Sequence, residues 1–174
     1  MIQDSLEEFL LEEISMNRLM IINESGIVDA ELIERLWQIM ISNKSPIAWR
    51  AAWTIWHFTN KRKELMRPYI DKIIKGLLQY KHDGQKREML KVLQLFDIES
   101  LEMGKLLDIC YSFLINPKES LAVRVHAMQI IFNISEIEPD LKPELKSTLL
   151  FYMPNTSPGF KGRANKLLKE MENI

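Results

Sequence analysis

The sequence predicts an all-α fold made of stacked antiparallel helix pairs. Three observations carry that expectation. Apolar residues recur at the 3, 4, 7, 8 spacing of amphipathic helices along nearly the whole chain, and no segment alternates with period 2. Glycine and proline number only 6 and 7 in 174 residues, too few for the turns of an all-β chain. Four arginines (Arg50, Arg87, Arg124 and Arg163) recur at intervals of 37, 37 and 39 residues, each in the first turns of a predicted helix. A two-helix period of that length marks a repeat array, in which one pair cannot hide its apolar face and leans on the next.

The elements follow from caps and periodicity. A first segment spans about Ser5 to Asn23, with Ser5 and Glu8 spaced as a capping box and Leu6, Phe9, Leu10, Glu13 and Ile14 at helical intervals; Ser15 to Asn17 is a candidate break. Gly26 stops it. Asp29 caps a second helix whose apolar stripe is Leu32, Ile33, Leu36, Trp37, Met40 and Ile41, ending at Asn43 and Lys44. Ser45-Pro46 opens a third helix, with Ser as cap and Pro at the first helical position. Arg67-Pro68 opens a fourth, with Ile70, Ile73, Ile74, Leu77 and Leu78 buried. Asp83 caps a helix to about Phe96, Glu99 or Ser100 begins one to Ile115, and Asn116-Pro117 restarts the chain for one to about Ser135. Asp140 to Met153 and a last helix opened by Ser157-Pro158 and ending near Asn173 complete about nine. Short links imply antiparallel neighbours.

Composition narrows the chemistry. The single cysteine, Cys110, forms no intrachain disulfide, which fits a reducing compartment, and the acidic start Met1-Ile2-Gln3-Asp4-Ser5-Leu6-Glu7-Glu8 is unlike a secretory signal. No run of about 18 apolar residues occurs. A cytoplasmic location without membrane contact is therefore the expectation. Glycine-rich phosphate loops, cysteine pairs and His-x-x-x-His are missing, and His57, His82 and His126 lie far apart. No catalytic residue, metal ligand or cofactor is expected. Charge is uneven: residues 1–40 hold nine acidic and two basic side chains, net −7, whereas residues 61–91 hold ten basic and four acidic, net +6, in a chain of net −1.

The repeated arginines are followed by small or apolar residues: Ala51-Ala52-Trp53, Met89-Leu90, Ala127-Met128 and Ala164. Arg124, Ala127, Ile130 and Ile131 form the pattern Arg-x-x-Ala followed by an apolar residue; it is looser at Arg50-Ala51-Ala52 and missing at Arg87. On these residues the chain resembles small bacterial HEAT-like, armadillo-type repeat proteins over 29–173. Residues 1–28 form a divergent N-terminal cap, and 1–174 a single domain. The resemblance implies a right-handed α-α superhelix. It implies that the arginines form a polar ladder between neighbouring repeats. It also implies that the helix after each arginine-bearing helix, the polar-striped one, lines a concave binding face. Lys72, Lys75 and Gln79, then Glu102, Lys105 and Ser112, then Lys142 and Lys146 would lie there.

Trp49, Trp53 and Trp56 fall at i, i+4 and i+7 on one helix stripe, which reads as core or as an aromatic platform, with Trp49 the most exposed. The expected function is a non-enzymatic binding scaffold with a protein or peptide partner, and Trp49, Arg67, Lys72, Lys75, Lys105 and Lys142 are the candidate binding residues. A nucleic-acid partner is the alternative, since some alkylpurine DNA glycosylases are HEAT-like and use Trp, Asp and Arg on a basic concave face. The tryptophan stripe and segment 61–91 favour it; no position matches the catalytic Asp, and the net charge disfavours it. Electrostatic self-association between the acidic and basic segments is a third reading.

Overall fold

The computed structural model describes residues 2–12 and 15–172. Among them are ten α-helices, four short 3-10 stretches and no strand. The chain divides into two compact units, Met1–Phe96 and Asp97–Ile174. The first holds α1 (Ile2–Leu11), α2 (Met16–Glu24), α3 (Ala30–Ile41), α4 (Ile47–Thr59), α5 (Ile70–Gly76) and α6 (Asp83–Leu93). The second holds α7 (Met103–Ile115), α8 (Leu121–Ile137), α9 (Lys142–Tyr152) and α10 (Pro158–Glu172).

Several boundaries fall where local chemistry puts them. Ser15 caps α2 by accepting from the Arg18 amide, so the first segment does break in two. Gly26, at φ +78°, supplies the left-handed turn after α2. Asp29 Oδ1 accepts from the Leu32 amide at 2.8 Å and starts α3. Asn43, at φ +56°, ends the α3 turn in a conformation that asparagine tolerates better than most residues.

Other expectations are corrected. Helix α1 already runs from Ile2, so Ser5 is interior rather than a cap; its side chain, like Glu13 and Ile14, lies outside the described residues. Ser45 does not cap α4: Pro46 occupies the cap position and no side chain satisfies the first turn. Pro68 sits inside a 3-10 stretch, Lys63–Tyr69, and α5 begins only at Ile70. His82, not Asp83, precedes α6, with its amide donating to Gln85 Oε1. Leu78 lies beyond the end of α5 and is 62% exposed, and Ile41 in the last turn of α3 is exposed too. The last helix ends at Glu172, and the expected end near Asn173 lies outside the described residues.

In the first unit α4 packs along both α3 and α6, and α1 and α2 lie against it as well. Its sequence explains this. Ala48, Ala51 and Ala52 are fully buried and let neighbouring helices approach, while Ile55 and Phe58 fill the gaps between them. Ile33, Leu36 and Met40 of α3, Met89, Leu90 and Leu93 of α6, Leu10 of α1 and Leu19 of α2 complete the core. Each large side chain buried this way contributes about 1.5–3 kcal/mol. In the second unit α7 and α8 pack along their lengths and α10 lies against α8, around Leu106, Phe113, Ala127, Met128, Ile131, Phe160 and Leu167.

This pairing reverses the expected frame. The polar-striped helix α7 pairs with the arginine-bearing helix that follows it, as α3 does with α4, so the arginine helix closes each of these pairs instead of opening it. Two of the four arginines then reach the ends of other helices. Arg50 Nη1 meets the carbonyls of Leu10, Leu11 and Glu12, at 2.8, 2.9 and 3.2 Å, at the C-terminus of α1. Arg124 Nε donates to the Leu114 carbonyl in the last turn of α7 at 2.9 Å, with its guanidinium 4.6 Å from the Phe160 ring centre. A cation at a helix C-terminus satisfies carbonyls with no intrahelical partner and meets the negative end of the helix dipole. Arg163 bridges α10 to Gln129 of α8 at 3.0 Å; Arg87 instead bonds Glu88 of its own helix.

A polar knot ties α3 to the segment before α5. The Tyr69 hydroxyl donates to Glu34 Oε2 at 2.6 Å, and its ring lies 4.8 Å from that of Trp37, which is buried. The Tyr69 hydroxyl first, then the Gln38 amide and the Lys72 ammonium, hold the Glu34 carboxyl below its ordinary value, outweighing partial burial. A carboxyl lowered in the folded state stabilises the fold above its unfolded value, about 4.3, and that gain fades as pH falls through the folded value.

Two outcomes are expected. Tyr69→Phe should lower the melting temperature by a few degrees at pH 7, and the gap from the native chain should narrow as pH drops below about 4 in thermal melts followed by circular dichroism. Arg124→Met, which keeps the apolar stem and leaves the Leu114 carbonyl without its donor, should cost about 2 kcal/mol in urea unfolding.

Candidate functional site

Helix α4 is covered by neighbours on every side but one. On that side lie Trp49, Trp53 and Trp56, all half-buried, while Ile47, Ala48, Ala51, Ala52, Ile55 and Phe58 face inward. The tryptophan stripe is thus neither interior core nor a free platform. It is a surface seam along α4, flanked by α6.

Helix α6 supplies the other wall. Arg87 and Lys91, at i and i+4, are half-buried beside the tryptophans, and Glu88 between them is 1% exposed. Arg87 Nε donates to one Glu88 oxygen at 2.8 Å and Lys91 Nζ to the other at 2.7 Å. Burial of that carboxylate is tolerable because both its oxygens are paired with cations. The pairing also fixes where the cations sit: Lys91 Nζ is 4.2 Å from the Trp56 ring centre, a cation–π contact. Arg50, already on the carbonyls of α1, lies 5.4 Å from the Trp49 ring centre. His57 sets its ring 4.4 Å from Trp53, edge to face. Burial first, then the charge of Lys91, lowers its pKa, with Glu88 opposing.

At one end of the seam opens a cavity of about 450 Å³ lined by Trp49, Lys81, His82, Asp83, Gly84 and Arg87. Two of its lining residues, Lys81 and His82, belong to a hydrogen-bonded splice between the α3–α4 turn and the start of α6. Gln85, fully buried, donates to the Met40 carbonyl at 2.7 Å and to Asn43 Oδ1 at 3.0 Å. The same Asn43 oxygen accepts from the Lys81 amide, and His82 Nε2 lies 3.2 Å from the Asn43 carbonyl, which puts the ring proton on that nitrogen. Gly84 is the close-approach point: a Cβ there would stand 2.9 Å from Trp49 Cβ, an atom that moves only with its backbone.

The six residues singled out from sequence are distributed as follows. Trp49 lines the cavity; Arg67, Lys72 and Lys75 do not. Those three are exposed on the stretch through α5, with the Arg67 guanidinium 5.8 Å from the Phe96 ring centre and Lys72 Nζ 5.2 Å from that of Tyr69. Lys105 is exposed on α7 in the second unit, where Lys142 on α9 pairs with Glu136 at 2.7 Å. Sequence reasoning missed Asn43, Gln85 and Glu88. Gln85, three residues after His82, has the spacing of a capping-box partner, and Glu88 between two cations on one helix face was legible as an ion pair.

Chemically the seam offers flat aromatic faces and cationic donors with a fixed carboxylate beneath them. Among the described residues no cluster of His, Cys, Asp and Glu could hold a metal ion. Cys110 is fully buried in the second unit, and burial pushes its thiol well above the ordinary range, so it is no nucleophile. No described helix is long and apolar enough to cross a membrane.

Gly84→Ala should push α6 away from Trp49, lowering stability by about 1–3 kcal/mol and red-shifting tryptophan emission as water reaches the seam. An unchanged melting curve and emission maximum would show that the approach is looser than described.

Known proteins bear on this arrangement at the level of the family. The model of the HEAT repeat domain matches residues 6–171. No curated protein and no solved structure matches the chain. The chain belongs to the HEAT repeat family, and its all-α fold is of that family's α-α superhelix class.

Proposed function

We propose that this HEAT-repeat chain is a non-enzymatic binding module that holds an acidic, extended segment of a protein partner along the α4–α6 seam. The observation that carries the reading is the half-buried stripe of Trp49, Trp53 and Trp56 with Lys91 over Trp56 and Arg87 sharing a cavity with Trp49 and Lys81. Half-buried tryptophans are rigid anchors that lose little entropy on binding, and arginine is the donor that suits a carboxylate in two-point contact. The splice through Gln85 and Asn43 holds the cavity in its binding shape before a partner arrives, which lowers the cost of association.

A protein partner suits the seam better than a nucleic acid. Double-stranded DNA presents one negative charge per about 1.7 Å and calls for a run of uncommitted cations. Here Arg87 and Lys91 share Glu88, and Asp83 stands on the cavity wall. Discrete carboxylates on a peptide match such a surface. The lone buried thiol of Cys110 is consistent with action in the reducing cytoplasm.

Titration with an oligoglutamate peptide carrying one leucine, followed by tryptophan emission, is the test. Saturable quenching is expected, weakened about tenfold by Trp49→Ala and by Arg87→Ala and unaffected by Lys105→Ala. Tighter binding of duplex DNA than of the peptide at low salt would favour the nucleic-acid reading, and no binding of either would remove the seam from consideration.

A further inference from the structure

Two features far apart in the sequence are complementary in shape and in charge. The first is a knob. Phe151, in the last turn of α9, is 75% exposed, more than any other large apolar residue described, and Leu150 beside it is 48% exposed. Its ring meets Tyr152 edge to face at 5.0 Å.

The second is a hole in the N-terminal unit. A cavity of about 160 Å³ is walled by Leu6, Phe9, Ile22, Ile27, Leu32 and Phe58, and its lining is apolar. The one hydroxyl nearby, on Thr54, is spent on the Arg50 carbonyl at 2.9 Å. Ile27, on the rim, is 62% exposed. A dry apolar cavity of about 150 Å³ accepts a benzene ring, so this one has room for a single phenyl group. Five of the hole's wall residues, Leu6, Phe9, Ile22, Ile27 and Leu32, lie in the acidic segment 1–40, net −7, and the knob lies in residues 141–172, which hold six basic side chains and three acidic ones, net +3.

We propose that the apolar hole of one copy takes the Phe151 side chain of a second copy, with the acidic and basic segments steering the two together. Knob and hole are different surfaces of the same chain, so each copy that donates a knob still offers a hole to another. One inserted ring is well short of a standard interface, so the association is weak and falls as salt screens the steering charges.

Sedimentation equilibrium of the intact chain, at concentrations up to about 1 mM in low and in high salt, tests this, with Phe151→Ser and Ile27→Asp as variants. Both positions are largely exposed, and circular dichroism verifies that the variants stay folded; Phe151→Ala and Ile27→Gln replace any that do not. The native chain should show an average mass that climbs with concentration and climbs less in high salt. Each variant alone should associate at least about tenfold more weakly. An equimolar mixture should regain association but stop at the dimer, since Phe151→Ser keeps only the hole and Ile27→Asp only the knob. A native chain that stays monomeric, variants that associate like it, or a mixture no heavier than its components would each overturn the proposal.

Discussion

The N-terminal unit depends on the burial of α4. Ala48, Ala51 and Ala52 bring neighbouring helices close, and Ile55 and Phe58 are buried between them. No single helix pair can cover a helix so apolar; α3 takes one flank, α6 another, and α1 and α2 shield more of it. The seam of tryptophans is what that cover leaves over. The site is therefore a by-product of the stacking that stabilises the unit, and its rigidity comes from the same contacts.

Stacking helices creates a second problem, the unpaired polar groups at their ends. The chain solves it with long side chains reaching across. Arg50 closes the C-terminus of α1, Arg124 that of α7, and Gln85 takes up the Met40 carbonyl at the end of α3. Arg50 also shows how one residue serves fold and site together, since its guanidinium closes α1 while lying beside Trp49. Arg87 departs from the pattern: with Glu88 as its partner, it is held at the surface of the seam instead of at a helix end.

Much of this was legible in the chain. Asp29 and Ser157-Pro158 mark helix starts because capping chemistry is local, and the spacing of the four arginines exposes the repeat because period survives when identity does not. What stayed hidden is non-local. A period gives the length of a unit but not which neighbour a helix pairs with, so α7 was assigned to the arginine helix before it. Periodicity identifies the stripe Trp49, Trp53, Trp56 but cannot say how much of it another helix covers, and the outcome lies between the two readings. Leu78 followed the apolar spacing of α5 although the helix had already ended at Gly76. Gln85 and Asn43 matter only because the fold brings residues 42 positions apart into contact.

Helix α4 is the enclosed hub of its unit, and native-state hydrogen exchange read residue by residue measures this directly. The account predicts that amides of Ala51, Ala52 and Ile55 exchange only through unfolding of the whole unit, while those of α1 and α2 exchange through smaller openings. Exchange at Ala51, Ala52 and Ile55 as fast as in α1 would contradict it.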